Sequence, residues 1–230
     1  MLSNAFLAAL PQDRLARLTP YLERMALIRQ QTIHSEREPI QYLYFISRGL
    51  VAMVRSMSDG RMAEIGSIGT EGMVGIMALY GVQPPVWETI VQLPGEALRL
   101  RLDIFESEIE KSAALQEQMR RYLRLMIFEI GQNSACNRLH SLEKRYCRWL
   151  LEAQDRAGAD TIPMTHEFLA LMLGVQRSGL SLIAGMLQRA GCIRYSRGKI
   201  TILNRKRLAA ASCECYGSLY EQRYLLFTKP

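Results

Sequence analysis

The feature that most constrains the fold is the stretch "MTHEFLALMLGVQRSGLSLIAGML" at residues 164–187, where two amphipathic segments meet at a glycine. Thr165 is suited to cap the first segment, and "HEFLALML" predicts about two turns of helix. Gly174 stands where a helix commonly ends, because glycine adopts the left-handed conformation without strain. A second helix is expected from Gln176 or Arg177. Its buried face is predicted to carry Leu180, Ile183, Ala184 and Leu187.

The same glycines allow a second interpretation of this stretch, because "LGVQRSGLS" nearly matches a phosphate-binding loop. Gly174, Gly179 and Ser181 fit that pattern, but Leu180 takes the place of its lysine. A phosphate-binding loop also follows a strand, whereas an amphipathic helix precedes Gly174. The stretch therefore favours a helix-turn-helix over a nucleotide hydrolase, with Gly179 expected on the exposed side of the second helix.

A basic segment surrounds this motif. Residues 138–207 hold 13 Lys and Arg against 5 Asp and Glu, whereas residues 1–137 hold 14 against 15. The stretch "GCIRYSRGKITIL" predicts two strands that turn at residues 196–199, as in the wing of a winged helix-turn-helix. Such a concentration of positive charge is expected of a domain that binds a polyanion, and a solvated basic surface is the alternative.

The second helix of such a motif enters the major groove of DNA with its first residues facing the bases. Arginine pairs with guanine and glutamine with adenine, while an ordinary exposed arginine is the alternative for Arg177. The predicted base contacts are Gln176, Arg177, Ser178 and Ser181. The predicted phosphate contacts are Thr165, His166, Arg194, Arg197 and Lys199.

The rest of the chain predicts an α+β protein. Short helices over residues 3–24 precede β-rich runs over about 25–102, including "YLYFISRGLVAMVRSM", "MAEIGSIG", "TIVQLP" and "ALRLRL". Asp103 is expected to cap a short helix, and helices follow at about 113–136 and 140–156. One face of the 113–136 helix carries an apolar stripe, which predicts a parallel homodimer. The predicted interface is Leu115, Met119, Tyr122, Leu123, Met126 and Ile130.

Several of these segments resemble the Crp/Fnr family of bacterial transcription regulators. They include "YFISRGLVAMV", "SDGRMAEIGSIGTEGMVGI", "SACNRLHSLEKRYCRWLL", "MTHEFLALMLGVQRSGLS" and "RYSRGKITILNRKRL", which together span about residues 10–208. The resemblance implies an N-terminal double-stranded β-helix (jelly-roll) sensor domain, a long dimerisation helix and a C-terminal winged helix-turn-helix. The expected divisions are residues 1–112, 113–137 and 138–208, with a tail over 209–230. The tail's "CECY" is similar to that of a proteobacterial subgroup.

The sequence departs from the family's known effector chemistry. Cyclic-AMP-binding members hold the ribose with a glutamate, and Ile76 occupies that position here. They hold the phosphate with an arginine, but residues 77–93 contain neither arginine nor lysine. A buried phosphate without a cation would be uncompensated, so tight binding of cyclic AMP is not expected. The first cysteine is Cys136, which argues against the N-terminal cluster of the iron–sulfur members.

The cysteines and histidines predict neither a metal site nor an enzyme. Cys213 and Cys215 offer two ligands, the nearest histidine considered is His166, and a metal needs three or four ligands. They are expected in a docked tail, while Cys136 and Cys147 are expected to pack within helices. "HEFLA" lacks the second histidine of a zinc-protease motif. No cofactor is therefore expected.

The expected partners are double-stranded DNA and a second copy of the chain, with RNA polymerase and an unidentified small molecule as further candidates. Five cysteines without a disulfide framework, no long apolar run and no signal-peptide pattern predict a cytoplasmic protein that binds no membrane. The alternative function is a sensing or scaffolding module whose basic domain binds nucleic acid nonspecifically. A large affinity ratio between one palindromic site and random DNA would distinguish the two.

Overall fold

The computed structural model describes residues 3–228, and these begin with two short helices that close one end of a β-roll. They are α1 (Ala5–Ala8) and α2 (Gln12–Leu18), followed by a 3-10 turn at Thr19–Tyr21. Asn4 fixes α1 in place, because its side chain accepts a hydrogen bond from the Leu7 amide and donates to the carbonyls of Ile46 and Gly72. Phe6 and Leu7 are fully buried in the sensor core as a result.

Six antiparallel strands form the β-roll of the sensor domain. They are β1 (Glu23–Leu27), β2 (Thr32–His34), β3 (Tyr42–Ser56), β4 (Met62–Ile68), β5 (Met73–Val74) and β6 (Glu88–Arg101). The main order is β1-β6-β3-β4, with β2 on β6 and β5 on β3. A 3-10 helix at Ile76–Tyr80 connects β5 to the next strand. Strands β3 and β4 are joined by a tight turn that contains Gly60 at φ +83°.

The long strands β3 and β6 bend across each other where two glycines meet. The runs "TIVQLP" and "ALRLRL" were expected to be separate strands, but both belong to β6, which continues through Pro94 and Gly95. Gly49 adopts φ +105°, and the pairing between β3 and β6 shifts register on either side of Leu50. A side chain at Gly95 would collide with the carbonyl of Arg48. The close approach of the two backbones therefore requires glycine.

Two helices lead from the roll to the C-terminal domain. Helix α3 (Leu102–Glu110) starts two residues earlier than a cap at Asp103 would allow. Asp103 is therefore not its cap, and its carboxylate instead pairs with Arg101 at 2.8 Å. Helix α4 (Ala113–Leu139) is capped by Ser112, whose hydroxyl accepts a hydrogen bond from the Leu115 amide at 3.2 Å. It extends three residues beyond the predicted end at residue 136.

The apolar stripe of α4 packs against the chain's own β-roll rather than lying free for a partner. Four of the six predicted interface residues are at most 3% exposed and belong to the sensor core: Leu115, Met119, Tyr122 and Met126. The Tyr122 hydroxyl donates to the Met73 carbonyl at 3.1 Å. Leu123 and Ile130 are partly buried against the same core. The assignment of the four buried residues to a dimer interface is therefore wrong.

The C-terminal domain follows the long helix directly. Its elements are α5 (Leu142–Ala157), β7 (Thr161–Pro163), α6 (His166–Met172), α7 (Arg177–Arg189), β8 (Ile193–Ser196), β9 (Lys199–Ile202), α8 (Arg205–Ala211) and α9 (Cys215–Thr228). The three strands form a sheet of order β7-β9-β8. A second apolar core lies inside this domain and includes Leu50, Ala52 and Leu93 of the roll, so the two domains share buried surface.

Within the described part of the chain, no single helix has both the length and the hydropathy needed to cross a membrane. The helices α6 and α7 meet that criterion only when they are combined, and they are bent by 113° at the break between them.

Candidate nucleic-acid interface

The helix-turn-helix is built from local interactions that the sequence specifies. Thr165 caps α6 by accepting a hydrogen bond from the Phe168 amide at 3.2 Å. Gly174 adopts φ +65° in the turn, where its amide donates to the Leu171 carbonyl at 3.1 Å. The angle of 113° between α6 and α7 falls within the range of about 90–120° typical of this motif. The predicted motif is confirmed.

The first turn of α7 presents the predicted base contacts together. Gln176, Arg177, Ser178 and Ser181 are all exposed, while Leu180, Ala184 and Leu187 of the same helix are buried. Gly179 does not lie on the exposed side of α7, where it was expected. It is half-buried, and a Cβ atom there would lie 3.8 Å from Leu142 of α5, so it faces the domain interior rather than an outside partner.

The wing projects beside this helix as a two-residue hairpin. Arg197 and Gly198 adopt φ +48° and +73°, and Ser196 pairs with Lys199 across the turn. Two positive φ values in a two-residue loop are the requirement of a type I′ turn. Arg197 therefore occupies the tip of the wing. Arg194 and Lys199 are exposed, and strand alternation puts both on the sheet face opposite the buried Ile200.

His166 connects the wing to α7. Its ring stacks on Tyr195 with centroids 3.7 Å apart, and its Nδ1 lies 3.2 Å from the Ser181 hydroxyl. Burial, with a smaller contribution from nearby Arg177, lowers the pKa of His166 below its usual value of 6.5. The imidazole is therefore neutral near pH 7, and a charge-based phosphate contact is less suited to it than positioning of Ser181 and the wing.

The basic side chains around this surface lack acidic partners. Arg177 and the wing residues Arg194, Arg197 and Lys199 form no ion pair with any residue that the structure describes. Lys206, at the start of α8, also has none, whereas Arg205 beside it pairs with Asp155 at 2.7 Å. Unpaired cations on one surface repel one another and are available to phosphate groups.

A buried network of ion pairs joins this domain to the sensor. Arg156 of α5 reaches Glu71 at 3.0 Å and Glu152 at 3.1 Å. Arg223 of α9 reaches Glu129 of α4 at 2.5 Å and Glu152 at 3.0 Å. These side chains are at most 16% exposed. The network therefore links the β-roll, α4, α5 and α9 in one interior cluster.

The arginines keep two of the buried carboxylates ionised. Burial would raise the pKa of Glu71, but Arg156 and Arg223 outweigh it and hold the pKa at about 2. Burial opposes the ionisation of Glu152 as well, and three arginines lower its pKa to about 2: Arg223, Arg148 and Arg156. Glu64 accepts a hydrogen bond from the Gln92 amide instead of pairing with an arginine. Its pKa therefore shifts in the opposite direction, and burial raises it to about 7.

The sensor roll encloses a small apolar cavity where a cyclic nucleotide would be expected. Met53, Ile76, Trp87 and Met126 contribute to its lining, and its volume is about 20 Å³. That volume suits a single water molecule. The polar residue His34 also lines it, but burial lowers the pKa of His34 to about 4, so the ring is neutral at pH 7. No lysine or arginine of the described chain lines this cavity.

Four metal-binding side chains that the sequence analysis treated separately come together at the end of α4. They are Cys136, His140, Cys213 and Cys215, and their ligand atoms lie within 4.8 Å of one another. His166 is the nearest histidine to Cys213 and Cys215 in the sequence, whereas His140 and Cys136 complete the set in space. Cys213 and Cys215 lie in a segment that packs on α4, as expected of a docked tail, but their approach to Cys136 and His140 was not expected.

Comparisons with known proteins agree with this architecture. Residues 25–112 match the cyclic nucleotide-binding domain family, and residues 144–211 match the Crp-like helix-turn-helix domain family. A "CRP-like cAMP-activated global transcriptional regulator" of Mycobacterium tuberculosis is 25% identical over 202 residues, which cover 85% of this chain and 90% of the relative.

Solved structures share the fold. A crp/fnr-family transcriptional regulator of Eubacterium rectale superposes with a TM-score of 0.69 at 21% identity, over 89% of this chain and 95% of the other. A CRP-family regulator of Thermus thermophilus gives a TM-score of 0.70 at 21% identity, over 82% and 96% of the two chains.

Proposed function

Because the chain belongs to the Crp/Fnr family of transcription regulators, we propose that it binds a palindromic DNA operator as a homodimer. The observation that carries this proposal is the exposed first turn of α7, flanked by cations that have no acidic partner among the described residues. Gln176, Arg177, Ser178 and Ser181 read base edges, and Arg197 at the wing tip holds phosphate with Arg194 and Lys199. Thr165 and His166 support the same surface from the start of α6.

The dimer interface lies on the face of α4 that the β-roll leaves uncovered. Ile127 is 62% exposed and Leu139 is 76% exposed, although both are large apolar side chains. Gly131 and Ser134 lie between them on the exposed side, and small residues allow two helices to approach closely. The helix has 27 residues, about 40 Å in length, which is enough for a partner helix to pack along it.

Substitution of this face tests the homodimer. Ile127→Glu is expected to give monomers at micromolar concentration in sedimentation, with loss of operator binding and an unchanged helical circular dichroism spectrum. Met126→Glu is the matched comparison. It places a charge in the protomer's own core, so it is expected to lower thermal stability as well. A wild-type monomer that binds one half-site with full affinity would contradict the proposal.

Selection from a random DNA library tests the operator. Two-fold symmetry predicts inverted half-sites with centres about 34–36 Å apart, one turn of the double helix. The enriched site should bind at least about 10³-fold more tightly than random DNA at physiological salt. Equal affinity for all sequences with a steep salt dependence would favour the nonspecific nucleic-acid-binding module instead.

The effector of the sensor domain differs from a cyclic nucleotide. The relative from Mycobacterium tuberculosis is described as cAMP-activated, but the cavity of this chain is small and lined without a cation. Titration calorimetry with cyclic AMP and cyclic GMP is expected to detect no binding at micromolar concentrations. A low-micromolar dissociation constant for either nucleotide would refute the proposal that the effector is not a cyclic nucleotide. A cytoplasmic location and contact with RNA polymerase follow from the proposed role.

A further inference from the structure

The cluster at the end of α4 joins two short sequence patterns that are far apart in the chain. Cys136 and His140 are four residues apart at the end of α4, so they share one face of the helix. Cys213 and Cys215 lie at the junction between α8 and α9. The three cysteines are at most 3% exposed and form a cluster separate from both apolar cores. The three cysteines therefore pack with one another rather than within either apolar core.

The distances within the cluster suit a tetrahedral metal ion. The Cys136 and Cys213 sulfurs are 3.6 Å apart, and the Cys215 sulfur is 3.6 Å from His140 Nδ1. Zinc–sulfur and zinc–nitrogen bonds of about 2.3 and 2.1 Å give tetrahedral edges of roughly 3.6–3.8 Å. The Cys136 and Cys213 sulfurs are not bonded to each other, because a disulfide bond is about 2.0 Å long. All five cysteines of the chain are free.

The surroundings of the cluster also match those of a metal site. His140 turns Nδ1 toward Cys215, and its Nε2 lies 3.1 Å from the Glu214 carboxylate. A carboxylate on the far nitrogen of a ligating histidine is the usual arrangement around zinc, because it fixes the ring's orientation and tautomer. The Gln132 amide donates to the Cys215 sulfur at 3.0 Å, which favours a thiolate.

The charge of such a site is compensated from α5. Three thiolates and one divalent cation leave a net charge of −1, and Arg145 and Arg148 both interact electrostatically with the cluster. The Arg145 Nε is buried without a hydrogen-bond partner in the described chain. Soft thiolate ligands with one imidazole in a closed tetrahedron select zinc over magnesium or calcium, and a site without an open position is structural.

We propose that Cys136, His140, Cys213 and Cys215 bind one zinc ion per chain. The ion fixes the start of α9 to the end of α4, and Arg223, two turns further along α9, holds the same helix to Glu129. Zinc thereby secures the C-terminal segment of the DNA-binding domain against the long helix that leads to the sensor. This inference rests on the cluster alone and stands whether or not the proposed operator binding is correct.

Elemental analysis of the full-length protein, purified under reducing conditions, is the first test. About one zinc per chain is expected, and Cys215→Ser should lose it, while Cys192→Ala, which removes a buried cysteine outside the cluster, should retain it. Cobalt substitution of the wild type gives a second readout that needs no variant. Thiolate-to-cobalt charge-transfer bands and the intense visible bands of tetrahedral cobalt are expected.

Glu214→Gln tests the site without removing a ligand. Glu214 is 74% exposed, so its substitution leaves the fold intact, and zinc affinity is expected to fall about 10–100-fold. Glu221→Gln, a change at an exposed position of α9, is the control and should leave zinc affinity unchanged.

Three results would overturn the proposal. One is a metal-free protein whose reduced form does not compete with a chromophoric chelator for zinc. Another is the recovery of iron and acid-labile sulfide, which would indicate a cluster. The third is a Cys136–Cys213 disulfide, mapped by mass spectrometry, in a protein that binds no zinc when reduced. Normal zinc binding combined with failure to bind any DNA would refute the proposed function and leave the zinc site intact.

Discussion

Arginines occupy two opposite environments in this molecule. In the interior, Arg156 is 5% exposed and contacts three carboxylates, and Arg223 bridges two. On the surface of the helix-turn-helix, Arg177 and Arg197 are exposed and have no acidic partner among the described residues. The interior arginines are committed to holding four elements together, whereas the surface arginines remain available to a ligand.

The difference follows from the cost of desolvating a charge. A buried guanidinium without a carboxylate would lose several kcal/mol of hydration, so each interior arginine requires its partners for the fold to form. An exposed guanidinium stays hydrated and contributes little to stability by itself. The same residue type therefore reports on folding in one region and on DNA binding in the other, and substitutions should separate the two properties.

The largest effect is expected from Glu152→Gln, which removes the carboxylate shared by Arg148, Arg156 and Arg223. Three buried guanidinium groups would lose compensation, and the free energy of unfolding should fall by about 3–5 kcal/mol. Urea denaturation measures the change. Glu143→Gln on the same helix is the control, because Glu143 forms no ion pair with the described residues. A loss below about 1 kcal/mol would show that the network is not essential to stability.

A smaller effect is expected from Arg177→Ala, and it should appear in DNA binding rather than stability. Loss of a bidentate base contact should cost about 1–3 kcal/mol and relax the preference at one position in each half-site. Lys199→Ala should weaken binding to all DNA sequences alike. It should also reduce the slope of log affinity against log salt concentration by about 1. Fluorescence anisotropy on the operator and on random DNA measures both. If Arg177→Ala lowered the affinity for both DNAs equally, Arg177 would not be a base contact.

The helix-turn-helix could be predicted from sequence because its determinants are local. Thr165 caps α6 through the Phe168 amide, three residues along the chain, and Gly174 is suited by itself to the left-handed turn. The wing likewise needs only Arg197 and Gly198 at its tip. Interactions over a few residues leave a readable pattern, so the motif and the exposure of Arg177, Ser178 and Ser181 could be predicted, although Gly179 was expected on the wrong side of α7.

The partner of an apolar face could not be predicted in the same way. Periodicity along α4 identified Met119 and Met126 as residues that require burial. It does not show what covers them, because a β-roll and a second helix can bury such a stripe equally well. The metal-binding cluster was missed for a related reason. Cys136 and Cys213 are 77 residues apart, and only the packing of α9 on α4 brings them together. No spacing rule within either segment contains that information.

The smallest effect is expected from Glu64→Gln, which concerns a carboxyl group in the same neighbourhood that has no arginine partner. Burial raises its pKa to about 7 from a usual value of 4.5. A carboxyl group with a raised folded-state pKa contributes stability that is present below pH 4.5 and lost as the pH rises to about 7. Glutamine resembles the protonated acid, so the variant should match the wild type within about 0.5 kcal/mol at pH 4.5.

Above that pH the two proteins should diverge. The wild type must ionise Glu64 beside Gln92, whereas the variant has nothing to ionise, so the variant becomes relatively more stable up to about pH 7. The residue is half-buried, and solvent screening reduces the expected gain to roughly 1 kcal/mol. Urea denaturation of both proteins between pH 4.5 and pH 8 measures the difference. A constant difference across this range would mean that burial does not raise the pKa of Glu64.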